Sequence, residues 1–145
     1  MNCKDLMIGD FVYVARGYNK HLAIEKVKGI ISDKDEPYPV TISTGETVSL
    51  DDIEPIKLTE EILVKNGFEY AYNEASRMQN KQLLVANIGG HYIEIRLDKR
   101  NIAVWYDYDE NGDGVYSDVL IDLPYHVHKF QHLLRLCGIE KELTI

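Results

Sequence analysis

Three histidines and a cysteine fall within the twelve residues His126–Cys137. His128 and His132 are four apart, a spacing that on a helix can present two imidazoles to one zinc ion. The residue after His128 is Lys129, however, not the glutamate of a H-E-x-x-H metalloprotease motif. Val127, Phe130, Leu134 and Cys137 recur at intervals of three, four and three, with Leu133 beside them. That is the apolar stripe of a helix lying on a core. It places Cys137 inward as a small core residue, without the positive surroundings that activate a thiol. The same wheel turns His128 and His132 toward solvent, where their replacement is expected to cost little. Zinc is therefore the lesser reading of the pair.

A second candidate is the acidic run Asp107-Tyr-Asp-Glu-Asn-Gly-Asp-Gly-Val-Tyr-Ser-Asp118. Calcium loops place oxygen ligands at positions 1, 3, 5, 9 and 12 with glycine at 6, because a hard cation takes six to eight oxygens around a sharp bend. Counted from Asp107, Asp107, Asp109, Asn111 and Asp118 fall on positions 1, 3, 5 and 12 and Gly112 on 6, but Gly114 takes the usual apolar position. Counted from Asp109, Leu120 falls on the last ligand position. The competing explanation is simpler. Asn111-Gly112 is the preferred pair for a two-residue hairpin turn. A turn there sets Tyr108 against Val115, Val104 against Val119 and Ile102 against Ile121, which gathers apolar side chains on one face.

Other catalytic patterns are missing from the sequence. It has no G-x-S-x-G, no phosphate-binding loop and no G-x-G-x-x-G. Gly89-Gly90 reads as a turn, and Asp51-Asp52 as a surface pair. No catalytic, cofactor-binding or metal-ligating residue is assigned, and the chain is expected not to be an enzyme.

Composition bounds the rest. At 145 residues a chain buries roughly 68% of its unfolded surface, enough for a core without staples. The net charge is −8: residues 1–58 carry seven basic and ten acidic side chains, and residues 59–145 carry nine and fourteen. Neither part is basic, which argues against nucleic acid as a partner. Apolar runs stop far short of the ~20 residues that span a bilayer. Two cysteines, Cys3 and Cys137, without a C-x-x-C or a signal-peptide core, suit a soluble cytoplasmic protein. Ten of the fourteen aromatic residues are tyrosine, which favours half-exposed strand faces.

The elements that must position these residues are mostly strands. Met7–Val14, His21–Ser32, Val40–Thr44 and Val48–Leu50 alternate or are β-branched, with a turn at Gly45-Glu46. They predict a small curled N-terminal sheet of the SH3-like kind. After Pro55, Leu58–Gly67 reads as a short helix: Thr59 caps it, Glu60 and Glu61 fill its first turn, and Gly67 stops it. Phe68, Tyr70 and Tyr72 alternate, Asn73–Lys81 reads as a polar connection, and Gln82–Ile88 is an apolar strand. Ile93, Ile95 and Leu97 oppose Tyr92, Glu94 and Arg96. Ile102–Tyr108 and Val115–Leu123 complete an antiparallel meander. Pro124 ends it, and the last helix closes at Gly138. The fold class is α+β in one domain spanning 1–145, with a strand-rich part at 1–57 and a helix–meander–helix part at 58–145.

Two blocks also carry a resemblance. At Leu58–Phe68 (LTEEILVKNGF) and His126–Leu143 (HVHKFQHLLRLCGIEKEL), after an opening Ile8–Val14 (IGDFVYV), the chain resembles a family of small uncharacterised proteins from gut anaerobic bacteria and their phages and prophages. Phe130 stands where the commoner form has leucine. The resemblance covers about a third of the residues and does not reach Tyr70–Tyr125. It implies a habitat and a fold, and no activity.

The expected function is a non-catalytic interaction module. Tyr92, Trp105 and Tyr116 would form an acidic, tyrosine-rich sheet face toward a protein partner, with no nucleic acid, membrane or cofactor involved. The alternative is a small-molecule (nucleotide or sugar) binding protein or an enzyme without a familiar motif.

Overall fold

The computed structural model describes residues 3–17, 21–31, 37–73, 77–105 and 121–145. Among them, ten strands form two five-stranded antiparallel sheets, with one short and one longer α-helix. The protein is α+β with β dominant. It divides into two compact units: residues 1–58 with 125–132, and residues 59–124 with 133–145. No described helix is long and apolar enough to cross a membrane.

The first unit holds β1 (Phe11–Arg16), β2 (His21–Ile30), β3 (Val40–Ile42), β4 (Thr47–Val48) and β5 (Ile53–Pro55). Their order is β4-β3-β2-β1-β5, and a 3₁₀ turn at Leu50–Asp52 joins β4 to β5. The alternation of side chains decides the faces. Val12 and Val14 of β1, Val27 of β2, Val40 and Ile42 of β3 and Ile53 of β5 point inward and form one core with Leu6. Tyr13, paired with Ile24, and Ala15, paired with Leu22, belong to the opposite face.

The second unit begins with α1 (Glu60–Lys65). Thr59 caps it as expected, its hydroxyl accepting from Ile62 N at 3.3 Å. Gly67, at φ 89°, takes the left-handed stop that an L side chain resists. Next come β6 (Glu69–Asn73), β7 (Met78–Ile88), β8 (His91–Arg96), β9 (Asn101–Trp105) and β10 (Ile121–Asp122), a meander in sequence order. Leu84, Ala86, Ile93, Ile95, Ile102 and Val104 are its buried face. Ile121 does pair with Ile102. The other hairpin pairs, the Asn111-Gly112 turn and the whole Asp107–Asp118 run lie outside the described residues.

One boundary differs from the sequence reading. Met78–Lys81 are strand, not connection: Asn80, Gln79 and Met78 pair with Ala71, Tyr72 and Asn73 across a register shift. These residues are all exposed, and three of the four are polar, so they carry no alternation to read.

The closing helix, α2, runs Val127–Leu136. Val127, Phe130, Leu133, Leu134 and Cys137 are all buried, as the stripe requires. Its residues through His132 count with the first unit, and those from Leu133 with the second.

Candidate functional site

The wheel misplaced the histidines. His128 is 2% exposed, and His132 keeps only 17% of its side-chain surface. The cause is a carboxylate that no local pattern reveals. Asp10, fully buried in the turn before β1, sits against the helix 122 positions away in sequence. His132 Nε2 donates to it, 2.8 Å from Oδ2 and 3.0 Å from Oδ1. Met7 N donates to the same Oδ2 at 2.7 Å. The Asp10 main chain is tied as well, its carbonyl accepting from Val27 N at 2.8 Å. A buried carboxylate needs such donors, since a charge taken from water is costly unless bonded and paired.

Gln131, 1% exposed, completes the inward polar arc, its Oε1 accepting from Phe11 N at 3.5 Å. The helix is thus bound to the first strand through side chains that look, in sequence, like a solvent face. His126, half-buried, stacks on His128 with ring centroids 5.7 Å apart and planes within 12°. His128 meets His132 edge-on at 5.9 Å. Its Nδ1 is buried and has no hydrogen-bond partner among the described residues. Burial pushes the pKa of His128 down to about 4 from 6.5; the Asp10 charge opposes this, while His132, Lys129 and His126 add to it. His128 is therefore a neutral imidazole at neutral pH.

An aspartate that orients an imidazole is the rear half of a nucleophilic triad. The front half is not seen: among the described residues, no hydroxyl or thiol bonds to any of these three histidines. Nor do the described residues hold a group of three or more His, Cys, Asp or Glu side chains arranged for a metal ion. What the cluster does is fasten the first six residues of α2 to the turn before β1. Lys129, 2.9 Å from Asp5, adds an exposed pair at the same seam.

A second polar cluster was also hidden in the sequence. Glu25, 8% exposed on the inward row of β2, accepts from Arg16 at 2.7 Å and from the Ser43 hydroxyl. Arg16 reaches Glu46 as well, at 3.1 Å. These bonds close the β3–β4 turn over the end of the sheet. The only available signal was a charged residue at an apolar position of an alternating strand.

The remaining candidates fall where turns and strands require. His91 Nδ1 donates to the Gly89 carbonyl at 3.1 Å, within the Gly89-Gly90 turn. Asp51 and Asp52 sit in a 3₁₀ turn capped by Ser49. Cys137 is a buried free thiol. On the second sheet Tyr92 lies directly opposite Trp105, with Glu94 opposite Ala103 and Val85. All five are half-buried and lie on the face opposite the core. Tyr116 is outside the described residues. A pocket of about 240 Å³ opens at one end of β7 and β8, lined by Asn80, Gln82, Leu83, Arg96, Asp98 and Lys99.

Compared with known proteins, the chain matches no protein family, no curated protein and no solved structure.

Proposed function

We propose that this protein is a non-catalytic protein-interaction module, acting inside the cell in a phage or prophage setting, and that the face of β7–β9 opposite the core is its working surface. The observation that carries the reading is the Tyr92–Trp105 pair. Two large aromatics stand side by side across β8 and β9, framed by Val85, Ala103 and Glu94, while the reverse of the same strands supplies the core. Aromatics on a rigid sheet contribute contact area at low entropic cost, and such residues dominate binding energy at interfaces. An SH3-like N-terminal barrel supports the same reading: the order β4-β3-β2-β1-β5, with a 3₁₀ turn before the last strand, suits that architecture. Fold analogy is only a supporting argument. The phage setting rests on the sequence blocks Leu58–Phe68 and His126–Leu143.

The test is affinity capture from a lysate of gut anaerobes, with the full chain compared against a Tyr92→Ala/Glu94→Arg variant of unchanged melting temperature. A partner retained by the parent and lost by the variant is expected. No enriched partner, or one held equally by both, defeats the proposal.

The polar pocket favours a second reading, in which Arg96, Lys99 and the Asn80 and Gln82 amides receive a small polar ligand such as a nucleotide or sugar. Its volume falls below the roughly 300–1,000 Å³ usual for ligand sites, which keeps this reading second. A thermal-shift screen of nucleotides and sugars decides it. Stabilisation above about 1 kcal/mol, lost on Arg96→Ala, would move it to first place.

A further inference from the structure

The pocket of the second unit opens where β7 outruns its neighbour. Pairing of β7 with β8 reaches Leu83 and Arg96, and Leu97 N still donates to Gln82 O at 2.8 Å. The chain then turns through Asp98 and Lys99 into β9, while β7 extends back to Met78, paired with β6 over Met78–Asn80. At that divergence lies the space of about 240 Å³, lined among the described residues by Asn80, Gln82, Leu83, Arg96, Asp98 and Lys99. Arg96 and Leu83, being paired, lie on the face opposite the buried Leu84 and Ile95. Arg96, Asp98 and Lys99 share this one pocket, yet among the described residues none of the three side chains forms an ion pair or a hydrogen bond.

Hydrogen-bonding capacity selects the ligand. Asn80 Oδ1 already accepts from Gln82 N at 3.0 Å, so the unused capacity of Asn80 is mainly its two Nδ2 donors. A guanidinium and an ammonium carry donors and no acceptor. The lining is therefore rich in donors, and it sets two cations against one carboxylate in a chain whose net charge is −8. A phosphate monoester fits that inventory. It brings three acceptor oxygens and a charge of about −2, and a guanidinium can hold two of the oxygens side by side. Asp98, which only accepts, repels the phosphate itself and suits a hydroxyl next to it. The small volume matches a phosphate with the sugar beside it rather than a whole large ligand.

We infer that this pocket binds a phosphorylated sugar, free or as the ribose phosphate of a nucleotide. Arg96 and Lys99 take the phosphate, the Asn80 and Gln82 amides donate to its oxygens, and Asp98 accepts from a sugar hydroxyl. The inference rests on the pocket reading given second above, names its ligand class, and does not depend on Tyr92 or Trp105. The test titrates the full chain with ribose 5-phosphate, adenosine 5′-monophosphate, ribose, adenosine and inorganic phosphate, followed by amide chemical shift. Saturable shifts at Gln82, Leu83 and Arg96–Lys99 are expected with a phosphorylated probe, and the tighter of the two tells a sugar phosphate from a nucleotide. Its affinity should exceed that of the matching unphosphorylated compound at least about tenfold, fall at least about tenfold on Arg96→Ala, and weaken as salt rises. Asp98→Ala separates a built site from general attraction of anions: ribose 5-phosphate should bind less tightly, and inorganic phosphate no less tightly than before. Arg96, Asp98 and Lys99 are exposed, so these variants should keep the parent melting temperature. Should Arg96→Ala fail to fold, Lys99→Ala takes its place, with a loss of at least about threefold expected. Ribose bound at the same amides as tightly as ribose 5-phosphate overturns the inference and leaves the pocket reading standing. No saturable shift with any probe defeats both. Unchanged affinity in the Arg96 and Lys99 variants, or an Asp98→Ala variant that binds both phosphate probes more tightly, also overturns the inference.

Discussion

Protonating His128 in the folded chain puts a charge on a ring that is 2% exposed and has an unpaired Nδ1. The unfolded chain offers the same ring water and a pKa of 6.5, against about 4 when folded. On acidification the unfolded state therefore takes the proton first. The stability His128 contributes is fully present above pH 6.5, is lost as pH falls toward 4, and changes no further below that. A gap of this size is worth about 3 kcal/mol. His128→Gln cannot titrate, so the loss in urea-unfolding free energy between about pH 7 and about pH 4.5 should be clearly smaller than in the parent. An identical loss in both proteins would show that the ring is solvated. The partner histidine tells against the sequence expectation in a different way. His132→Ala removes the imidazole from the buried Asp10 carboxylate, which keeps its bond from Met7 N, and should cost about 2–4 kcal/mol at neutral pH. The exposed His21→Ala should stay within about 0.5 kcal/mol, which makes it the control in the same denaturant series. Damage from His132→Ala does not signal a metal, because the Asp10 bond already accounts for it.

At the scale of elements, the two helices were legible to different depths. Thr59 and Gly67 fix the ends of α1 by local chemistry, so the sequence shows them. A helix of six residues is too short to stand by itself, and what holds it is remote. Asn66, 3% exposed, donates from Nδ2 to the Ile62 carbonyl at 2.7 Å and to the Thr144 carbonyl at 2.8 Å, while its Oδ1 accepts from Thr144 N at 2.7 Å. Lys65 Nζ reaches the Ile145 carbonyl alongside. Asn66→Ala should cost about 2–3 kcal/mol, against about 1 kcal/mol for Thr59→Ala. Thermal melts of the two variants rank them; the reverse order would mean that the cap, not the C-terminal tail, secures α1. For α2 the stripe was read correctly: Phe130 and Leu134 are fully buried, and either one changed to alanine should cost about 2–5 kcal/mol. What apolar spacing cannot register is a buried arc that includes His128 and Gln131. Their burial depends on Asp10 and Phe11, whose positions are set by the fold of the first sheet. Periodicity reports what a helix buries among apolar neighbours. It is silent about polar groups that a distant chain segment satisfies.

For the molecule as a whole, the consequence concerns what folds by itself. Residues 1–57 look in sequence like a complete strand-rich part, and they do hold a core of Val12, Val14, Val27, Val40, Ile42 and Ile53. The compact unit nevertheless includes residues 125–132. Ile56 O accepts from Val127 N at 2.9 Å, Leu58 N donates to Tyr125 O at 2.8 Å, and Lys57 bridges His126. Asp10 and Phe11 N find their partners on the same returning segment. A fragment ending at Leu58 would therefore leave a buried carboxylate without its imidazole and several main-chain groups unpaired. Each such group costs on the order of 1–3 kcal/mol, and a domain has only about 5–15 kcal/mol in hand. The 1–58 fragment should accordingly be unfolded or molten, with collapsed amide dispersion in its spectrum. Joining residues 125–132 to it through a flexible linker should restore dispersion at Met7, Phe11 and Val27. A well-dispersed 1–58 fragment would show instead that the returning segment only decorates a sheet that is stable alone. The two histidines would then lose the fastening role that their contacts with Asp10 assign them.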